Sequence, residues 1–228
     1  MILSTENREN SDGRASATCA TLPRTVESTR RILVAKLYFY YSAMNAGKST
    51  RLLQSSFNYR ERGMDTILYT FKFDDRFGDL KIASRIGLES GANTFDSGLN
   101  LFSDILSRRT AKTACIFIDE AQFLTKSHVH ELCRVVDELD IPVLAFGLRS
   151  DFLGEPFEGS MYLLILADEL IEVKTVCHCG KKAIMNARFD SNRKIMRSGE
   201  QIDIGGNEKY ISLCRKHFRD GVIEGPAD

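Results

Sequence analysis

Ser42-Ala43-Met44-Asn45-Ala46-Gly47-Lys48-Ser49-Thr50 is the first stretch of this chain whose residue types and spacing could do chemistry. Gly, four residues, then Gly-Lys-Ser/Thr lets successive backbone N–H groups curl round phosphates while a helix N-terminus adds positive potential. The stretch meets that spacing everywhere except at the first Gly, where Ser42 stands. In this reading Lys48 reaches the β- and γ-phosphates of a nucleotide, and the Ser49 hydroxyl can ligate Mg²⁺. Ser42 leaves those groups in place and removes one point of backbone freedom.

A second group is Asp119-Glu120, which follows the apolar Cys115-Ile-Phe-Ile118. Parallel α/β sheets bind ligands at the carboxyl ends of their strands. Asp119 is placed there as a second magnesium-side group, acting through water. Glu120 points elsewhere and can serve as a general base. The third group is Cys177-His-Cys179 with Cys214-Arg-Lys-His217, after 34 intervening residues. Paired Cys/His clusters in a reducing compartment hold zinc more often than they form disulfides. Cys177, Cys179, Cys214 and His217 make four ligands, which leaves no open position for a catalytic water and so reads as structural zinc. His178 could replace one of the cysteines as a ligand.

The elements that must position these groups are legible from period and punctuation. Residues 37–41 read as a buried strand and 48–62 as a helix, with Leu52, Leu53, Ser56, Phe57 and Arg60 at helical spacing and Gly63 as its stop. A strand at 66–70, a helix at 100–109 with Leu101, Ile105 and Leu106 on one face, and a strand at 114–118 follow. A helix at 127–139 turns Leu132, Val135, Val136 and Leu139 inward, and 141–146 is another apolar strand. Strands alternating with helices predict an α/β fold with a mainly parallel sheet flanked by helices. After Thr175 the pattern shifts to short strand-like pieces and Gly205-Gly206, so a boundary is expected there. The domains are then 35–175, which binds nucleotide, and 176–228, which carries the metal ligands.

Composition sets the outer bounds. The chain has 228 residues, with 31 Lys+Arg against 31 Asp+Glu, 43% hydrophobic and 27% charged. That is a globular composition, and zero net charge argues against a protein built mainly to grip nucleic acid. The longest apolar run, 161–167, falls far short of the ~20 residues of a membrane span. No apolar leader segment precedes the body, so a cytoplasmic, reducing setting is expected, and Cys115 and Cys133 read as small core residues. Residues 1–34 are Ser/Thr-rich without period and read as a disordered tail. Glu6, Glu9, Asp12 and Glu27 are too many acids for a transit peptide.

Taken together, these stretches resemble the thymidine kinase family that includes bacterial enzymes and the animal cytosolic enzyme. The likeness runs from Leu37-Tyr-Phe-Tyr-Tyr-Ser-Ala-Met-Asn-Ala-Gly-Lys-Ser-Thr50 through Asp74-Asp-Arg-Phe-Gly78, Ser84-Arg-Ile-Gly-Leu88, Asp119-Glu-Ala-Gln-Phe-Leu124 and Asp140-Ile-Pro-Val143. It continues through Gly147-Leu-Arg-Ser-Asp-Phe152 and Ile204-Gly-Gly-Asn-Glu-Lys-Tyr210 to Cys214-Arg-Lys-His217, covering about residues 36–218. The resemblance implies a P-loop NTPase-like domain with a small zinc domain carrying a lasso loop. It implies transfer of the γ-phosphate of ATP, with Mg²⁺, to the 5′-hydroxyl of thymidine, with Glu120 as base.

The same resemblance implies that Ser42 through Ser49, Arg76 and Asp119 to Gln122, Ala121 included, surround the ATP phosphates. Met44, Phe123, Leu148, Phe152 and Phe157 match the apolar walls of the nucleoside pocket. Gln201, Ile202, Asp203, Ile204, Gly205 and Tyr210 match the lasso, which closes on thymidine largely through backbone contacts. A homotetramer restrained by thymidine triphosphate is implied as well. Because the metal ligands pin the ends of the segment bearing the lasso, metal loss is expected to affect thymidine before ATP.

Val34-Ala-Lys-Leu-Tyr-Phe looks like the start of bacterial relatives, which makes Val34 the expected translation start and 1–33 a misassigned upstream extension. Asp119-Glu-Ala-Gln122 also resembles the second motif of helicase-type ATPases, but such motors need two ATPase lobes and this chain has room for one. A zinc-bearing nucleotide sensor without turnover is the other alternative, and it leaves Glu120 without a task.

Overall fold

The computed structural model describes residues 34–72, 81–84, 86–201 and 209–224. All of them lie in one compact unit, 34–228. The first half of the chain forms β1 (Leu37–Ser42), α1 (Lys48–Arg60), β2 (Asp65–Phe71), β3 (Lys81–Ala83), β4 (Glu89–Gly91), β5 (Asn93–Phe95) and α2 (Leu101–Arg108). Then come β6 (Thr113–Ile118), a 3-10 turn at Ala121–Phe123, α3 (Lys126–Leu139), β7 (Val143–Leu148), α4 (Glu158–Leu166) and β8 (Glu169–Glu172). Short pieces complete it: β9 (Thr175–Val176), β10 (Lys182–Ala183), β11 (Met185–Arg188), β12 (Tyr210–Leu213) and α5 (Arg215–Asp220).

Six strands make one sheet in the order β5-β2-β6-β7-β1-β8, and every neighbouring pair is parallel. Successive side chains of a strand leave on opposite faces, so each strand feeds two cores. Ile116 and Ile118 of β6 join the cluster that also holds Leu101 and Ile105 of α2, Val129 and Leu132 of α3 and Leu163 of α4. Cys115 and Phe117 join Leu52 and Leu53 of α1 on the other side. With both faces covered, the central strands read as unbroken apolar runs. The carboxyl ends of β1, β7 and β6 are therefore adjacent along one edge, and that edge carries the site.

Several sequence expectations are corrected at the helix rims. Leu106, expected on one face with Leu101 and Ile105, is 43% exposed, and Phe57, expected at helical spacing with Leu52 and Leu53, is 51% exposed. Each stands five positions after the first buried residue of its helix. At about 100° per residue that is 140° round, off the face shared by Leu101, Phe102 and Ile105 or by Leu52, Leu53 and Ser56. Arg60 is exposed at the last turn of α1, where its guanidinium donates to Ser90 Oγ at 3.3 Å. The strand expected from 141 begins at Val143, since Pro142 has no N–H to offer a ladder.

Three elements gave no readable signal. The hairpin β3–β4 and the edge strand β8 are short, and the apolar run 161–167 makes up the last six residues of α4 and its C-cap with no period to mark them. Leu163 of α4 is fully buried while Met161, Leu164 and Ile165 are exposed. Beyond Thr175 the large sheet gives way to two-stranded ribbons, β9–β10 and β11–β12, both antiparallel. These have a small core of their own around Cys177, Ala183, Ala187, Leu213 and Cys214. The expectations for residues 1–33 lie outside the described residues.

Gly159 sets how closely α4 can approach the sheet edge. A Cβ there would stand 2.5 Å from the Ala121 carbonyl and 2.7 Å from that of Leu124, both main-chain atoms that cannot swing away. Gly159→Ala is expected to destabilise the fold by about 3 kcal/mol, the upper end of ordinary overpacking. Urea denaturation of the two proteins side by side measures it, and an unchanged midpoint would show that α4 can shift freely.

Candidate active site

The turn after β1 and the start of α1 form the first half of the site. Its left-handed positions are Asn45 (φ 60°) and Gly47 (φ 81°), whereas Ser42 has no positive φ. A glycine is therefore demanded at 47 and not at 42, which is why Ser42 fits. Gly47 is the N-cap of α1 and offers no side chain, and no acidic residue occupies the first turn. The leading N–H groups of α1 thus remain available to an anion. Ser42 and Ala43 are buried, while Asn45 and Gly47 are exposed and Met44, Ala46, Lys48 and Ser49 are half-buried. Ser42 Oγ donates to the Ala43 carbonyl at 2.6 Å and accepts from Lys48 Nζ at 3.1 Å. Lys48 also donates to the Ala43 carbonyl at 3.3 Å.

The second half comes from the end of β6. Asp119 is buried, and its N–H extends the strand by donating to the Tyr69 carbonyl at 2.8 Å. Burial, and next the charge of Glu120, lift its carboxyl well above the ordinary carboxylate range. The Ser49 hydroxyl, the Glu120 N–H at 3.1 Å and the Lys48 ammonium oppose that rise. Burial lowers the Lys48 ammonium in turn, against the pull of Glu120 and Asp119. Glu120 has left-handed backbone, φ 52° and ψ 38°, an unusual state for a side chain that is neither Gly nor Asn. The bend turns it away from Asp119 and into reach of Gln122, whose Nε2 donates to Glu120 Oε2. Gln122 is itself buried, and its Oε1 accepts from Leu148 N–H at 3.0 Å. One amide side chain thus joins the ends of β6 and β7.

The expected apolar residues gather beside this centre. Phe123 stands edge-to-face with Phe157, ring centroids 5.6 Å apart, and tilts against Phe71 at 4.8 Å. Ala121 and Gln122 are buried in the 3-10 turn, and Leu148 closes β7. Phe152 is buried with the Arg188 guanidinium 3.9 Å above its ring, a cation–π contact. Arg188 also donates to the Glu200 carbonyl at 3.2 Å and lies 3.5 Å from Tyr210 Oη. Gln201 does not turn its side chain to the pocket, because its Nε2 donates to Asp151 Oδ2 at 3.0 Å. Asp151 Oδ1 meanwhile accepts the N–H groups of Leu153 and Glu155, shaping the loop that bears Phe152. Arg76, Ile202, Asp203, Ile204 and Gly205 lie outside the described residues.

Asp151, Asn186, Arg188 and Ser212 were not singled out by sequence reasoning. Asn186 and Arg188 alternate with apolar residues in a short strand, a pattern that reads equally well as a solvent-facing side. No local signal distinguishes the two.

Cys177, Cys179, Cys214 and His217 converge, with their four candidate ligand atoms within 4.8 Å of one another. The Cys177 Sγ to His217 Nδ1 distance is 3.3 Å, and that between the sulfurs of Cys179 and Cys214 is 3.9 Å. A tetrahedron with sulfur at about 2.3 Å and nitrogen at about 2.0 Å needs ligand separations of about 3.5–3.8 Å, so the donor set fits a metal of that kind. The main-chain N–H of His217, and that of Lys216, point at the Cys214 sulfur and favour its thiolate. His178 is not among the four. Its ring stacks on His217 at 4.3 Å, and its Nε2 lies 3.4 Å from the Val222 carbonyl.

Residues 35–218 match the family described as thymidine kinase. The thymidine kinase of Shewanella oneidensis is 58% identical over 190 residues, 83% of this chain and 99% of that protein. That of Salmonella typhimurium is 56% identical over 193 residues, 84% of this chain and 94% of its own length. A solved DnaB-like replicative helicase is similar only loosely, with a TM-score of 0.38 and 16% identity over 52% of this chain and 40% of that one.

Replacing Gln122 by Leu keeps the volume but removes both of its bonds, leaving the Leu148 N–H unpaired beneath the turn. Gln122→Leu is expected to lower unfolding stability by about 1–3 kcal/mol, the cost of an orphaned buried donor. Denaturant titration checks it; a loss within error of zero would mean that the Gln122 bridge carries no weight.

Proposed function

The chain belongs to the thymidine kinase family and phosphorylates thymidine, and from that premise we propose how its own residues divide the reaction. The observation that carries the division is the meeting of Lys48, Asp119 and Glu120 at the carboxyl edge of three adjacent parallel strands. The turn 42–49 cradles the phosphates of ATP, with the free N–H groups of α1 and the Lys48 ammonium stabilising charge on the transferred group. Ser49 and Asp119, whose side chains lie close enough for the hydroxyl to favour the ionised carboxyl, are the pair to hold Mg²⁺, supported by an Asp119 carboxyl otherwise left deep in the protein. A divalent ion there would neutralise the phosphate oxygens.

Glu120 takes the proton of the thymidine 5′-hydroxyl as that oxygen attacks the γ-phosphorus, and ADP leaves. Gln122 and the left-handed turn hold the carboxylate apart from Asp119 while keeping it within the same charge cluster. Arg76 is proposed to meet the transferring phosphate. Met44, Phe123, Leu148, Phe152 and Phe157 form the apolar wall for the nucleoside. Residues 201–205 and Tyr210 form the closing lasso. The tie from Gln201 to Asp151 leaves the Gln201 main chain for the ligand, which suits closure through backbone contacts.

The four-residue Cys/His cluster holds a structural zinc in this reading. The exposed apolar residues Met161, Leu164 and Ile165 of α4 and Leu170 of β8 support assembly into a homotetramer. Restraint by thymidine triphosphate and a cytoplasmic setting complete the proposal. Among the described residues no helix is long and apolar enough to cross a membrane.

Glu120→Gln keeps the shape and removes the base. Its kcat should fall about 10²–10⁴-fold while ATP and thymidine still bind. Steady-state kinetics with a coupled ADP assay, beside calorimetric binding of each substrate, test this; near-normal kcat would sink the assignment.

For the metal, elemental analysis of the purified protein should return about one zinc per chain. Cys214→Ser should lose it and become open to protease between 179 and 214. Full zinc occupancy in that variant would remove Cys214 from the ligand set.

A further inference from the structure

Met44 is held by both of its main-chain groups, and neither partner is near it in sequence. Its N–H donates to Asn186 Oδ1 at 2.7 Å, 142 positions away, and its carbonyl accepts from Ser212 Oγ, 168 positions away. Asn186 of β11 and Ser212 of β12 stand directly opposite one another in the antiparallel register, so their side chains leave the ribbon on one face. Both are buried. Asn186 Nδ2 donates in turn to the Ser150 carbonyl at 2.7 Å. That second bond fixes which way the amide points, because the reverse orientation would set its NH₂ against the Met44 N–H. The pair satisfies both backbone polar groups of the half-buried Met44 while adding no charge beside a site for phosphates.

We propose that Asn186 and Ser212 are positioning residues which hold the phosphate-binding turn in its nucleotide-ready shape through Met44. The proposal rests on the reading of 42–49 as the ATP loop. Met44 lies past the end of β1 and directly before the left-handed Asn45, in a stretch that no strand ladder supports. A residue left to be ordered only when ligand arrives weakens binding by about tenfold. With Met44 anchored, Asn45, Gly47 and the first N–H groups of α1 start from a fixed point.

Ser212 is two residues before Cys214, so the strand leading to the metal ligands also carries half of the clamp. One rung of the ribbon, Asn186 and Ser212, reaches the phosphate turn; two rungs on, Arg188, opposite Tyr210, reaches Phe152 and Glu200.

The test measures ATP affinity directly, with Mg²⁺ and the full chain, for the wild type, Ser212→Ala and Ser212→Thr. Thymidine KM, thermal midpoint and zinc content are followed on the same samples. Ser212→Ala should weaken ATP about tenfold with zinc unchanged and with a smaller rise in thymidine KM, since Met44 also stands in the nucleoside wall, and Ser212→Thr, which restores the hydroxyl, should recover both. In Asn186→Ala the Met44 amide should lose its protection from hydrogen exchange; if that variant does not fold, the Ser212 series decides the matter. Unchanged ATP affinity in Ser212→Ala, with or without a lower midpoint, overturns the proposal, and so does a rise in thymidine KM alone. A wild type that binds no ATP would bring down the donor-site reading itself, and the clamp with it.

Discussion

A carboxylate at the end of a fully buried strand must be met by donors, because an unpaired charge in a core is among the least tolerable groups a fold can hold. Asp119 is such a group, delivered by Cys115–Ile118 with no choice of depth. Strand order decides what can reach it. With β7 between β6 and β1, the turn after β1 is the near source of hydroxyl, N–H and positive charge, and it supplies Ser49 and Lys48. Lys48 is itself disfavoured by burial and is sustained by the two carboxylates. Each group alone would unsettle the sheet edge, and together they form a charge cluster whose members fix one another. The left-handed bend at Glu120 falls at this same crowded point and brings its carboxylate to the Gln122 amide.

The turns along this edge have few ladder bonds of their own, so their shape depends on side chains sent from elsewhere. Gln122 ties the end of β7 to the turn after β6, and Asp151 folds the loop after β7 about its own carboxylate. The β11–β12 ribbon braces both loops, with Asn186 and Ser212 at Met44 and with Arg188 above Phe152. That ribbon belongs to a core too small to be firm by apolar burial alone. Four ligand atoms at tetrahedral spacing give it a point where a metal can fasten it. A metal held there would stiffen the ribbon, and the ribbon in turn touches the turns at Met44 and Phe152.

Much of the large sheet was legible because its information is local. Strand-length apolar runs, helical spacing and the Gly47 that stands between β1 and α1 are local signals, so β1, α1, β6 and α3 could be read within two residues of their bounds. The errors were local as well. Phe57 and Leu106 fit the apolar spacing of their helices and yet stand exposed, because five residues carry a side chain about 140° round the axis. The apolar α4 offered no contrast between faces, since one side meets the sheet edge and the other stays exposed. Cys-x-Cys and Cys-x-x-His could be paired in sequence because ligand spacing is a property of short segments, but only the fold could set His178 outside the four.

By itself the sequence determined an alternating α/β chain, a phosphate-type turn ahead of a helix, an acidic pair after a buried strand, and two pairs of ligand residues. Each of these is fixed by residues that touch in sequence. Tertiary structure decided the rest: that Lys48 and Glu120 share one edge, that Arg188 faces inward over Phe152, and that Asn186 and Ser212 grip Met44. In a two-residue alternation, inward and outward faces have the same pattern, and a polar side chain carries no mark of which it occupies. Only the packing of the ribbon against the sheet edge, between residues more than a hundred positions apart, turns those polar groups into partners.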